Sequence, residues 1–174
     1  YYLPEAHIGY ETEDYLTHKY PRLDCDLTVN ACVIPNPEFI AALLHLEENQ
    51  SLYDEDRLLA QKGNGAEPIK FIGTKLIILE ERWDIFQKNA AALDLDFNQV
   101  TDGRKTQALS PSNLLIGSKS KLFIEQGAMI EGCTLNTNDG PIYIGKGAEI
   151  MEGSLVRGGL ALCNEATIKM GTKI

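Results

Sequence analysis

Two cations late in the chain, Arg157 and Lys169, directly follow the aliphatic residues Val156 and Ile168. If those aliphatics point inward, both cations point outward, where a substrate phosphate could meet them. Lys146 is a weaker third candidate. The same residues read equally well as solvated charges that keep a surface soluble. The three histidines, His7, His18 and His45, all precede residue 46, so the rest of the chain has no imidazole to act as base or zinc ligand. The catalytic base is left unassigned.

Other chemistry-bearing residues point to less. Asp54-Glu55-Asp56 could be drawn as metal ligands, but adjacent acids are mostly solvated, and no metal site is assigned. Gln61-Lys62-Gly63-Asn64-Gly65 reads as a loop without the glycine spacing or the Lys-Ser/Thr ending of a phosphate-binding loop. Asn136 and Asp139 suit a turn better than a ligand. Cys25, Cys32, Cys133 and Cys163 show neither metal spacing nor a disulfide framework, so reduced thiols in a cytoplasmic protein are expected.

The elements that must position these groups are clearest at the C-terminal end. An aliphatic residue recurs at every sixth position through Ile144, Ile150, Val156, Leu162, Ile168 and Ile174. This is neither helical spacing nor the alternation of a lone strand; it predicts a parallel β-helix of stacked short strands. Small residues follow four positions after most of them, at Ala148, Ser154, Ala166 and Thr172, as tight corners require; Leu160 breaks the rule. Ile124–Leu135 repeats the pattern of Ile144–Leu155 at an offset of 20 residues, and the turn-rich Asn136–Pro141 accounts for the excess over 18.

The first hundred residues read as mixed α/β. Leu27–Ile34 is rich in strand formers; Asn36-Pro37-Glu38 then gives an N-cap, a proline at the first helical position and an early acid. Thr12 is placed to cap a short helix through Tyr15 and Leu16. Leu76–Leu79 predicts a buried strand and Glu81–Leu93 a helix, with Trp83 in a core or between domains. Thr101–Asn113 is polar and turn-rich, the best linker. The division is therefore an α/β part with linker over residues 1–110 and a β-helix over 111–174.

A net charge of −9 argues against nucleic acid as partner, since a phosphate backbone calls for a basic surface. No apolar run approaches the roughly 18 residues that span a membrane. The opening residues lack the basic region and apolar core of a signal peptide, and the chain is expected to be an internal piece of a longer product.

An α/β segment, a linker and a hexapeptide coil, in that order, resemble the sugar-1-phosphate nucleotidyltransferases fused to left-handed β-helices. Glu81-Arg82-Trp83-Asp84-Ile85-Phe86-Gln87-Lys88-Asn89 resembles their proline-Trp-Asp-Leu-Leu-x-x-Asn segment, with Arg82 where proline is usual. Tyr15-Leu16-Thr17, Thr101-Asp102-Gly103-Arg104, Leu109-Ser110-Pro111-Ser112-Asn113 and Leu135–Gly158 are similar to an alternative bacterial form of bifunctional N-acetylglucosamine-1-phosphate uridylyltransferase/glucosamine-1-phosphate acetyltransferase. The resemblance implies small-molecule partners (a sugar phosphate and a nucleotide), Mg²⁺ and acetyl-CoA as cofactors, and a homotrimer built through the coil. It implies both nucleotidyl transfer and acetyl transfer toward UDP-N-acetylglucosamine. Two departures favour a rival reading, a catalytically degenerate binding or oligomerisation module on a β-helix rod. The family's Gly-rich nucleotide loop has no counterpart, and where related enzymes carry Gly-Asp to hold Mg²⁺ this chain has Val29-Asn30-Ala31-Cys32-Val33, without an acid.

Overall fold

A computed structural model describes residues 5–174; the first four, part of the stretch tested above for a leader, lie outside the described residues. Chain contacts divide it into two compact units, one ending at Glu80 and the other running Glu81–Ile174. Each is described by itself.

In the first unit, the strand expected over residues 27–34 is two short ones, β1 (Leu27–Val29) and β2 (Val33–Ile34). Asn30 interrupts them: its side-chain oxygen accepts from the Cys32 amide at 3.0 Å and its amide donates to the Leu58 carbonyl at 3.0 Å, so the chain turns where a strand would run on. The predicted helix follows as α1 (Pro37–Leu44), with Asn36 as N-cap accepting from the Phe39 amide at 2.8 Å. Then come β3 (Gln50–Asp54), β4 (Arg57–Lys62), β5 (Glu67–Lys70) and β6 (Ile77–Ile78). A four-stranded sheet has the order β1-β4-β3-β5, and β2 pairs with β6. Phe39, Leu43, Leu52, Leu59 and Phe71 are buried between α1 and this sheet, with Phe39 and Phe71 edge to face. The helix expected near residue 15 is a single 3₁₀ turn, Asp14–Leu16; its N-cap is Glu13, and Thr12 donates to the Glu13 carbonyl instead of capping.

The second unit opens on a helix that differs from expectation. In place of one helix over Glu81–Leu93 there are α2 (Asp84–Gln87) and α3 (Asn89–Thr101), broken at Lys88. The Asp84 carboxylate accepts from the Glu81 amide at 3.0 Å and from the Lys88 ammonium at 2.9 Å, and the backbone departs from regular helix at Lys88, with φ −95° and ψ −2°. A single turn cannot bury every side, and Trp83, read as a core or interdomain residue, is half-exposed, with Ile85 and Phe86 more so.

Nine strands follow, in three rows. The first row is β7 (Leu114–Ile116), β8 (Leu122–Ile124) and β9 (Met129–Ile130). The second is β10 (Thr134–Asn136), β11 (Ile142–Ile144) and β12 (Glu149–Ile150), and the third is β13 (Leu155–Arg157), β14 (Leu160–Leu162) and β15 (Thr167–Ile168). Each strand pairs in parallel with the one three elements away, giving three parallel sheets ordered β13-β10-β7, β14-β11-β8 and β15-β12-β9.

The register places like residues over like. Leu115, Leu135 and Val156 form one column; Ile124, Ile144 and Leu162 a second; Ile130, Ile150 and Ile168 a third. They share one apolar core with the small residues Ala128, Ala148 and Cys133. The six-residue spacing works because an inward side chain of each short strand meets its equivalent in the next row, with Leu122 and Ile142 adding a second inward position in β8 and β11. The two longer corners, 117–121 and 137–141, precede β8 and β11; only Gly158 and Gly159 separate β13 from β14. Leu160 breaks the small-residue pattern because it sits at the start of β14, paired with Ile142.

Candidate functional site

The three cations read from the sequence stand at three different corners between the sheets. Arg157 ends β13, its guanidinium 3.3 Å from the Asp139 carboxylate, with both side chains more than half exposed. Lys146 lies between β11 and β12, where its amide donates to the Asn164 side chain at 3.0 Å. Lys169 follows β15 and is exposed. Arg157 and Lys169 are exposed, as their place after inward aliphatics led one to expect, and Lys146 is exposed too, but the three are not gathered within one chain. Asn136 behaves as the turn former expected, its side-chain oxygen accepting from the Asn138 amide at 3.0 Å.

In the first unit, Asp54-Glu55-Asp56 forms the tip of the β3–β4 hairpin, and Glu55 adopts a left-handed backbone with φ of 52°. Among the described residues no group of three or more His, Cys, Asp or Glu is placed to hold a metal ion. Within the Val29–Val33 stretch, which carries no acid, Asn30 spends both side-chain groups on its own turn and on β4. The residues at that turn do not fit a divalent cation.

A site that the sequence reading missed lies on the outward face of β8 and β11. Phe123 and Tyr143 are register partners whose rings stack with centroids 5.8 Å apart. The Arg104 guanidinium lies 5.1 Å from the Phe123 centroid and donates to Glu125 Oε1 at 2.5 Å. The Tyr143 hydroxyl donates to the same oxygen at 2.5 Å. Two aromatics at equivalent positions of the repeat were the only legible signal; that Arg104 reaches them depends on the path of the chain after α3.

Hydrogen bonding from Tyr143, and then from Arg104, holds the Glu125 carboxyl below its ordinary value against the opposing pull of burial. A carboxylate so engaged is a weak base, so the cluster binds the segment after α3 to the sheet and does not serve proton transfer. Because the folded pKa is depressed, its stabilisation is present above the ordinary value of 4.5 and is lost as pH falls through the folded pKa. Glu125→Gln is therefore expected to flatten the loss of melting temperature between pH 5 and about pH 3, as read by thermal melts. An unchanged acid slope would contradict this assignment.

A groove of about 430 Å³ lies between residues 107–110 and β9–β12, lined among others by Met129, Glu131, Glu149 and Met151. Cys133 is buried in the core; burial pushes its thiol up, which leaves it inert as a nucleophile. No helix among the described residues is long and apolar enough to cross a membrane.

Compared with protein families, residues 1–105 match the model described as sugar nucleotidyl transferase. The match takes in α1, α2 and α3 and stops before β7. No curated protein and no solved structure matches the chain.

Proposed function

From the premise that the chain belongs to the sugar nucleotidyl transferase family, we propose that it serves nucleotidyl transfer to a sugar 1-phosphate. The observation that carries the reading is the family match over residues 1–105. In such a transfer an oxygen of the sugar phosphate attacks the α-phosphorus of a nucleoside triphosphate in line, and pyrophosphate leaves with the electron pair. The Asn30–Val33 turn offers no carboxylate for Mg²⁺, so these residues are given no step that uses the ion.

The finer reading concerns residues 111–174. We take the three cyclically connected parallel sheets as the opening turns of a left-handed β-helix, supported by the columns of aliphatic residues and the six-residue period. On that reading the chain is similar to the bifunctional uridylyltransferase/acetyltransferase form, and the β-helix would move an acetyl group from acetyl-CoA to the amine of glucosamine 1-phosphate. Arg157, Lys169 and Lys146 lie at separate corners, so two of them could share one phosphate only across copies. A homotrimer is the assembly that would bring this about.

A rival reading has one specific observation behind it. With no acid in Val29–Val33 and Asn30 engaged in its own turn and with β4, the α/β part would bind without transferring, and the β-helix would act as an oligomerisation rod. Two assays separate them. The protein is incubated with UTP or dTTP plus a sugar 1-phosphate, and separately with acetyl-CoA plus glucosamine 1-phosphate. Pyrophosphate release supports nucleotidyl transfer, and thiol release supports acetyl transfer. Silence in both assays, with sugar phosphate still bound in calorimetry, selects the binding module.

A further inference from the structure

We infer that residues 106–113 form a cap, built from side chains, that prevents the first row of strands from pairing with another copy of this chain. β8 and β9 have strand partners on one side only, β11 and β12. On the other side a preceding row would supply main-chain donors and acceptors, and among the described residues no strand is there. Side chains take its place. Thr106 Oγ1 accepts from the Ile124 amide at 2.8 Å, and the Gln107 amide donates to the Ile124 carbonyl at 2.7 Å.

The Gln107 carboxamide then spans the corner between β8 and β9. Its oxygen accepts from the Gly127 amide at 2.8 Å and its nitrogen donates to the Ala128 carbonyl at 2.9 Å. Asn113 repeats the arrangement at the next corner. Its oxygen accepts from the Cys133 amide at 2.9 Å and its nitrogen donates to the Ile130 carbonyl at 2.7 Å. Ser112 Oγ accepts from the Gly132 amide at 3.1 Å, while Ser110 and Ser112 both donate to the Glu131 carboxylate and anchor the segment. A primary amide carries a donor and an acceptor in one plane, as a peptide unit does, so one Gln or Asn fills the positions of a strand residue.

Without the cap these edges would be a template for strand addition. The occupant they suit is a second copy, because rows of this chain already stack on one another: β11 and β12 lie on β8 and β9 with Ile144 over Ile124 and Ile150 over Ile130. A strand edge of one copy lying on the first row of another makes a head-to-tail contact that does not close and so builds chains of molecules. The cap therefore protects against open-ended self-association and leaves any closed assembly to other surfaces.

The experiment compares the whole chain with its Gln107→Ala/Asn113→Ala double variant by hydrogen exchange and by sedimentation velocity over a range of concentrations. Exchange at the Gly127 and Cys133 amides is expected to accelerate about tenfold or more. Species larger than those of the unaltered chain should grow with concentration. Faster exchange without larger species overturns the blocking role, and unchanged exchange overturns the cap itself. If the double variant loses its far-ultraviolet dichroism, Gln107→Met, which removes both carboxamide contacts at a similar side-chain length, is put through the same two measurements, with exchange judged at the Gly127 amide. Lys105→Ala, an exposed change beside the cap, should move neither readout.

Discussion

Ile144→Ala should destabilise the second unit by about 2–5 kcal/mol, the range for truncating a fully buried large aliphatic. Ile144 is fully buried, in the middle row, with Ile124 on one side and Leu162 on the other. Stability in stacked rows is close to a sum of row and neighbour terms, so a void in the middle row weakens both of its interfaces. The single tryptophan, Trp83, lies in the same unit and reports its unfolding in urea. The midpoint should fall while the slope stays constant, because the surface exposed on unfolding barely changes. Leu155→Ala is the matched control. It is a strand residue of the same sheets, but 45% exposed and directed outward, and should shift stability by no more than about 0.5 kcal/mol. Equal losses at the two positions would mean that the inward columns are not the core.

Gly158→Ala is the second large effect, and its cause is main-chain proximity. A Cβ at residue 158 would stand 1.8 Å from the Gly140 carbonyl oxygen and 2.5 Å from its carbon. Those are backbone atoms, and hydrogen bonds hold them on both sides. The Gly158 amide donates to the Asn136 carbonyl at 2.8 Å, and the Leu160 amide to the Pro141 carbonyl at 3.0 Å. Relief requires moving the corner and stretching one of these bonds, at a cost of about 1–3 kcal/mol or more. Gly159→Ala, one residue on, is the informative comparison. Its added Cβ meets its nearest neighbour, Leu93 Cδ1, at 3.5 Å, an ordinary contact. Denaturation midpoints should rank the unaltered chain and Gly159→Ala together, well above Gly158→Ala; the reverse order would sink the close-approach account.

The contrast between these glycines shows where sequence reading runs out. The corner after β13 was read only as a place where Leu160 spoils a pattern. Its two residues, against the five in the corner of the row beneath, bring Gly158 onto Gly140, and no local feature announces that contact. The Arg104–Glu125–Tyr143 cluster is similar. Arg104 belongs to a stretch that reads as linker, and its reach to Glu125 exists because α3 ends at Thr101 beside the sheets. The cap formed by Gln107 and Asn113 also sits in that stretch, where polar residues predicted a loop but not what the loop bonds to. At α2, local spacing predicted a continuous helix, and the chain instead leaves helical geometry at Lys88 and starts a second helix at Asn89.

Where a local rule and the final contacts coincide, the chain was legible from its residues alone. Asn36-Pro37-Glu38 announced α1 because capping is settled within three residues. The beat from Ile144 to Ile174 announced the stacked parallel strands because each inward residue meets its own equivalent in the next row, so the long-range contact is written as a short-range period. The outward direction of Arg157 and Lys169 followed from the same period. What those cations can reach did not, since three corners separated by sheets are brought together or kept apart only by packing. Tertiary structure alone decided that one chain keeps them apart, that Asn30 turns the chain between β1 and β2, and that the linker closes the edge of the first row.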